Sequence, residues 1–243
     1  MNETIRIAMW SGPRNISTAM MRSWGNRPDT CVVDEPFYAH YLQATEAQHP
    51  GAAEVIATGE VDWRKVVGLV SGPASNMKPI FYQKQMTHHL LAEIDRSWLA
   101  CVTNCFLIRD PREVITSYLK KNYDPTVEDL GFVQQGEIFD CVRSQRGRIP
   151  PVLEASDVLR NPRTALESLC DVLGVPFLEA MLSWPPGPRN TDGIWAKHWY
   201  AEVERSTSFR PYEPKHEEVP ERLHSVYAEC LTVYERLHRY RLH

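Results

Sequence analysis

No apolar run in this 243-residue chain approaches the ~18–20 residues needed to cross a bilayer, and no basic-then-apolar leader precedes its first apolar stretch. The expectation is a soluble, cytoplasmic protein with no membrane partner. Charge of either sign is not in large excess. A net charge of −4 and a pI near 6.1 exclude a general polyanion binder, so nucleic acid is not an expected partner and any bound anion needs a local basic cluster. Cysteine offers no metal framework: Cys31, Cys101, Cys105, Cys141, Cys170 and Cys230 are scattered, and no second Cys or His pair completes a zinc pattern. They read as reduced thiols packed as small hydrophobes. Internal repeats and low-complexity blocks are also missing. What remains is a chain with 43% hydrophobic and 24% charged residues, able to bury the core of one domain over 1–243.

The apolar runs Ile5–Trp10, Thr30–Val33, Pro79–Gln83, Asn104–Ile108 and Val152–Glu154 predict strands. Helices are predicted at Asn15–Asn26, Thr87–Arg96, Pro111–Lys121, Val127–Gly147, Pro162–Leu173 and Pro220–Arg241, with Pro111 and Pro162 at first helical positions and Gly174 as a C-cap. This alternation predicts an α/β fold in which helices cover a mostly parallel sheet and ligand-bearing loops follow the strands. Residues 184–216, rich in Pro and then in aromatic, basic and Ser/Thr residues, read as a long lid loop, and 217–243 as the segment of the terminal helix. In that helix Leu223, Val226, Tyr227, Leu231, Tyr234 and Leu237 recur at core-facing spacing.

Residues 5–24 run from an apolar strand through Gly12-Pro13-Arg14-Asn15 into Ile16-Ser17-Thr18 and an amphipathic helix. A strand ending beneath a helix N-terminus presents unpaired N–H groups and the positive end of the helix dipole, which suits an anion, most often a phosphate. The Gly-Lys-Ser/Thr ending of nucleoside-triphosphate loops is absent, and Arg14 is the nearby cation. A second segment, Phe106 to Lys121, sets Arg109 at a strand end and Ser117 eight residues later, about two helical turns on, so both can face one ligand. An Arg fork with a hydroxyl suits a phosphate monoester. The plainer alternative is an Arg109–Asp110 surface pair with an ordinary helical Ser.

Together these segments resemble the sulfotransferase superfamily that uses 3′-phosphoadenosine-5′-phosphosulfate. Its strand–loop–helix cradles the 5′-phosphosulfate, and its Arg-Asp/Asn-Pro segment, with a Ser eight residues after the Arg, holds the 3′-phosphate. Leu153 to Pro162, followed by a helix ending Leu173-Gly174, resembles the family's Tyr-Glu-Asp-Leu…Pro…Leu-Gly segment, and Asp192 to Trp199 is similar to its late lid. The resemblance implies a three-layer α/β/α fold with a P-loop-like phosphosulfate site and no metal. It places Gly12, Pro13, Arg14, Asn15, Ile16, Ser17, Thr18, Arg109, Ser117 and the lid's Lys197 around the donor. Trp195, His198, Trp199 and Ser206 are further lid candidates. Three positions depart from the pattern: Ile16 replaces a loop glycine and is strained if that position needs a positive φ, Ala19 stands where many cytosolic members carry a Trp, and the cytosolic Lys-Thr-His segment is not reproduced.

Sulfuryl transfer needs a base for the acceptor hydroxyl and donors for the departing phosphate oxygen. Glu35, after the second strand, is the first candidate base, with Asp34 orienting its loop. His88 or His89, after the third strand, is the second, with Lys84 as donor to the bridging oxygen. The plainer readings are a helix-start carboxylate and packed rings. The expected acceptor is a small molecule or carbohydrate, bound by 38–78 and 122–150 against Phe37, Tyr38, Tyr41, Tyr123 and Phe132. Two alternatives stand beside this reading. One is a nucleotide-dependent kinase or hydrolase, with Thr30 to Glu35 as a magnesium-holding strand end. The other is a nucleotide-binding module without catalysis.

Overall fold

The apolar sequence of β1 (Ile5–Ser11) is nearly continuous because the strand lies at the centre of the sheet with both faces covered. The protein's structure is a computed structural model describing residues 4–72, 78–120 and 124–243. Among these, β2 (Thr30–Asp34), β3 (Ile80–Met86), β4 (Thr103–Ile108) and β5 (Val152–Glu154) join β1 in a sheet of order β2-β3-β1-β4-β5. Every pairing is parallel. The chain leaves β1 to one side for β2 and β3, then crosses to the other for β4 and β5. Loops at the carboxyl end of β1 therefore diverge and open a crevice there.

Alternate residues of β1 face two cores. Ile7 and Met9 pack with Met20, Met21 and Trp24 of α1 (Ser17–Gly25) and with Leu166 and Leu169, while Ala8 and Trp10 pack with Phe106, Ile138 and Phe139 on the other face. The first core takes in α8 (Ala155–Arg160) and α9 (Pro162–Leu173). The second is covered by α4 (Trp63–Ser71), α7 (Phe132–Arg146) and α12 (His224–His238). Trp24 stacks on Tyr82 at 5.4 Å between ring centroids, and the buried indole N–H of Trp10 donates to Asn104 Oδ1 at 2.9 Å. Gln135 of α7 donates to the carbonyls of Trp10 and Leu107, satisfying backbone acceptors where β1 and β4 end.

The remaining helices follow their capping signals more closely than their periodicity. Asp110 accepts from Arg112 N and Pro111 opens α5 (Pro111–Leu119), as expected; Lys121, the predicted end of that helix, lies outside the described residues. The helix predicted over 127–147 is divided into α6 (Val127–Leu130) and α7, because Gly131 takes a left-handed φ of +68° that ends one helix and starts the next. Within 38–78, read as pocket-building, lie α2 (Tyr38–Thr45), α3 (Ala52–Thr58) and α4, while 73–77 lie outside the described residues. The helix predicted over Thr87–Arg96 is absent. Only a 3₁₀ turn covers Thr87–His89, because His88 and His89 are drawn into a ring stack while Leu90 and Ile94 reach the core without helical backbone. The terminal helix starts at His224 after a short 3₁₀ turn and buries Cys230 and Leu237, with Leu223 buried just before it. The lid carries two short helices, α10 (Ala196–Trp199) and α11 (Ala201–Glu204). No helix among the described residues is long and apolar enough to cross a membrane.

Candidate active site

A cleft of about 490 Å³ opens at the carboxyl end of the sheet, lined by Pro13 to Ala19, Glu35, Lys84, His88, His89, Arg109, Ser117 and much of the lid. One end of the cleft is built by the turn between β1 and α1. Asn15 ties that turn down on both sides, its Oδ1 accepting from Ile16 N at 2.9 Å and its Nδ2 donating to Leu107 O at 3.0 Å. No side chain caps α1 and no acid occupies its first turn, so the amides of Ser17, Thr18 and Ala19 sit uncapped along the cleft. Ile16 has an ordinary φ of −86°, so the strain expected there does not arise. The left-handed residue is Arg14, at φ +56°. Such a conformation costs about 1–3 kcal/mol and persists only when its surroundings over-determine it.

Those surroundings come from α5. Arg109 Nη1 donates to Arg14 O at 2.7 Å, and Arg14 Nε donates to Ser117 Oγ at 3.0 Å. Arg109 is itself oriented by Glu113, which accepts from its Nε at 2.9 Å and its Nη2 at 2.8 Å. The other oxygen of Glu113 accepts from Tyr212 of the lid at 2.7 Å. The Arg109–Asp110 pair of the plainer alternative does not form; Arg109 pairs instead with Glu113, one helical turn along. Arg210 and Lys215 of the lid line the same cleft, and burial, then Arg109, push the Lys215 ammonium below its usual range. Gly12 lines no part of the cleft; a Cβ there would stand 2.5 Å from Leu130 O, so the residue is small for packing.

The other end of the cleft gathers the candidate bases. Lys84 donates to Asp34 Oδ1 at 3.0 Å, to Glu35 Oε1 at 2.5 Å and to the phenol of Tyr200 at 2.5 Å. Burial alone would lower Lys84, but Asp34, Glu35 and Tyr200 hold its ammonium well above its usual range. Glu35 is raised by burial, opposed by Lys84 and reinforced by Asp34, and it too is left-handed, at φ +41°. His89 lies between the rings of Tyr38 and Tyr41, at 4.8 and 4.7 Å, with its Nδ1 3.9 Å from Glu35 Oε2. Burial, with His49 beside it, lowers His88 to about 3, and burial next to His88 puts His89 well below its usual range. Both rings are therefore neutral, and their Nδ1 atoms are buried without a partner.

Of the lid candidates, Trp195, Trp199 and Ser206 line the cleft, whereas Lys197 is turned to the surface and pairs with Glu54. Lys197, expected beside the donor, does not line the cleft. His198 packs near Gly51 instead. Of the residues expected to wall the acceptor, Tyr38 lines the cleft and Tyr41 lies behind it against His89, but Phe37 is buried against Trp98 and Phe132 against the terminal helix; Tyr123 lies outside the described residues. Sequence reasoning missed Tyr200, Arg210, Tyr212 and Lys215. Basic and aromatic density in a long loop was the signal for them, and it does not say which side chains turn inward. Among the described residues no group of three or more His, Cys, Asp or Glu is placed to hold a metal ion.

The fold is an all-parallel α/β sheet, with an uncapped helix N-terminus, Arg14 and Arg109, and a buried carboxylate–ammonium cluster gathered at its carboxyl edge. The profile of the sulfotransferase domain matches residues 5–237, and the chain belongs to that family. Its curated relatives include two from Arabidopsis thaliana, named branched-chain-amino-acid aminotransferase-like proteins 1 and 2. Protein 1 is 37% identical over 204 residues, covering 84% of this chain and 36% of the relative. Protein 2 is 32% identical over 232 residues, covering 95% of this chain and 41% of the relative. The chain thus spans about two fifths of the length of these relatives. Among solved structures, the sulfotransferase domain of the Synechococcus PCC 7002 olefin synthase superposes with a TM-score of 0.56 at 18% identity, over 100% of this chain and 97% of that one. The sulfotransferase domain of the curacin biosynthetic pathway gives 0.52 at 16% identity, over 100% and 93%. These likenesses establish a shared fold.

Proposed function

We propose that the protein transfers a sulfuryl group from 3′-phosphoadenosine-5′-phosphosulfate to a hydroxyl of a small-molecule or carbohydrate acceptor. The observation that carries this reading is the convergence of the uncapped α1 amino terminus with Arg14, Arg109 and Ser117 on the same cleft as Glu35. A cleft of about 490 Å³ falls within the roughly 300–1,000 Å³ typical of small-molecule sites, and its donors suit two separate phosphate groups. The loop amides and Arg14 would hold the 5′-phosphosulfate, and Arg109, Ser117 and the lid cations Arg210 and Lys215 the 3′-phosphate. When bound, the donor supplies the sulfuryl group. Glu35 takes the acceptor proton, its raised carboxyl being nearer than an ordinary one to the pKa that serves a base at neutral pH. The neutral, ring-stacked histidines form the acceptor wall rather than the base.

The reading predicts that 3′,5′-adenosine bisphosphate raises the melting temperature far more than ATP with magnesium, measured by thermal shift at equal ligand concentration. Equal or reversed shifts would favour a nucleotide-dependent kinase or hydrolase. Arg109→Ala is expected to weaken bisphosphate binding by about 1.5–3 kcal/mol, the size of a charge-assisted contact, in calorimetric titration. An unchanged affinity would move the 3′-phosphate away from α5. Binding of the bisphosphate with no sulfuryl transfer from the donor to any hydroxyl or amine acceptor, or to water, would indicate a binding module only.

A further inference from the structure

The cluster around Lys84 limits which atoms can react. An ammonium has three N–H bonds, and here all three have acceptors, in Asp34 Oδ1, Glu35 Oε1 and Tyr200 OH. None is left for a departing phosphate oxygen. Tyr200 in turn donates to Asp34 Oδ2 at 2.7 Å, and that oxygen also accepts from Gly193 N at 3.1 Å. Both oxygens of Asp34 are therefore engaged. Of the four carboxylate oxygens in the cluster, Glu35 Oε2 accepts no hydrogen bond among the described residues; His89 Nδ1 stands 3.9 Å from it, beyond hydrogen-bond distance.

We propose that Lys84, Asp34 and the lid residue Tyr200 form a clamp that grips Glu35 by Oε1 and leaves Oε2 as the atom that receives the acceptor proton. This inference rests on the sulfuryl-transfer reading and assigns Lys84 to orientation of the base in place of the leaving-group role expected from the sequence. In the step itself the acceptor O–H bond breaks and its proton passes to Glu35 Oε2. The acceptor oxygen bonds to sulfur as the sulfur–oxygen bond to the phosphate breaks, leaving its electron pair on the phosphate oxygen. Tyr200 acts through Asp34 and Lys84 and is a positioning residue. It arrives on the lid, which Asp192 fastens to Arg22 of α1, so the base is set only when the lid rests on the helix that carries the anion site. The groups facing Glu35 are Asp34 beside it in sequence, Lys84 from β3, His89 from the turn after β3, and Tyr200 from the lid.

Tyr200→Phe tests the clamp, because it keeps the ring and removes the hydroxyl. The probes are radiolabelled 3′-phosphoadenosine-5′-phosphosulfate with water as acceptor, read as sulfate release, and 3′,5′-adenosine bisphosphate, read by calorimetry. Sulfate release is expected to slow by about 10- to 100-fold, the scale of a misplaced reacting group, with bisphosphate affinity kept. The acidic limb of the rate profile moves upward, because Asp34 then carries its charge undivided beside Glu35. An unchanged rate overturns the clamp, as does a rate and an affinity that fall by the same factor. No sulfate release from wild-type protein that binds the bisphosphate overturns Oε2 as an open base. Failure of the wild type to bind the bisphosphate defeats the sulfuryl-transfer reading instead. If Tyr200→Phe does not fold, 3-fluorotyrosine at position 200 preserves packing while making the phenol more acidic. It must displace the acidic limb at constant bisphosphate affinity, and a limb that stays in place overturns the proposal.

Discussion

Glu35→Gln is expected to lower kcat by about 10²–10⁴-fold, the usual contribution of a positioned base, while leaving bisphosphate affinity intact. The amide keeps the shape of the side chain, and Lys84 retains Asp34 as its counter-ion, so the buried ammonium is not abandoned. The pH profile carries the sharper reading. Burial raises the Glu35 carboxyl above its ordinary range against the pull of Lys84, so the wild-type acidic limb lies above that of a solvated glutamate. The group must be deprotonated to act as base, so activity rises with pH through this limb, and in Glu35→Gln the limb disappears. Steady-state rates across pH check both statements. A variant that keeps wild-type kcat would transfer the role to His88 or His89. That role is hard to reconcile with His88 lowered to about 3 and with His89 lower than an ordinary imidazole, since bases so weak draw little on the acceptor proton.

Asp192→Ala is expected to cost about 3–5 kcal/mol of stability, since it leaves a buried guanidinium without its counter-ion. Arg22 and Asp192 are 2% and 4% exposed and meet through two hydrogen bonds, at 2.6 and 2.7 Å. Arg22 Nε has no other partner, and Asp192 Oδ2 also accepts from Arg189 N at 2.7 Å, so the variant orphans donors on both sides of the lid junction. For a chain of this size the melting temperature should fall by about 6–20 °C, taking roughly 2–4 °C per kcal/mol. Calorimetric melting of Asp192→Ala beside Asp124→Ala provides the comparison, because Asp124 makes an equally well-formed pair with Arg222 on the exposed surface. A loss at Asp192 no larger than that at Asp124 would show that the lid is not anchored through α1.

The sheet was legible because short apolar runs between polar turns survive any arrangement of the strands. Each predicted strand lies within one residue of the observed one, except that β3 continues past the predicted Gln83 to Met86. The turn after β1 and the facing of Arg109 and Ser117 onto one cleft were legible for a similar reason, since a turn, a helix start and an eight-residue helical offset are local geometry. The Thr87–Arg96 helix was misread because Leu90, Leu91 and Ile94 carry helical spacing, while the backbone there is set by His88 and His89 entering a ring stack built by α2. Lys197 was misread because α10 is a single short turn whose facing is decided by where Trp195 and Trp199 pack, not by its own pattern.

By itself the sequence determined a βα alternation, a strand–turn–helix with Arg14 in its turn, and a carboxylate directly after β2. Those features depend on residues adjacent or a few positions apart, where propensity and periodicity act. Only the tertiary structure decided that Arg14 rather than Ile16 bears the left-handed strain, that Glu113 and Tyr212 orient Arg109, and that Lys84 has no free proton while Glu35 keeps a free oxygen. The Tyr200–Asp34 bond joins residues 166 positions apart, and no local pattern encodes the saturation of the Lys84 ammonium by groups from two segments distant from it and from each other.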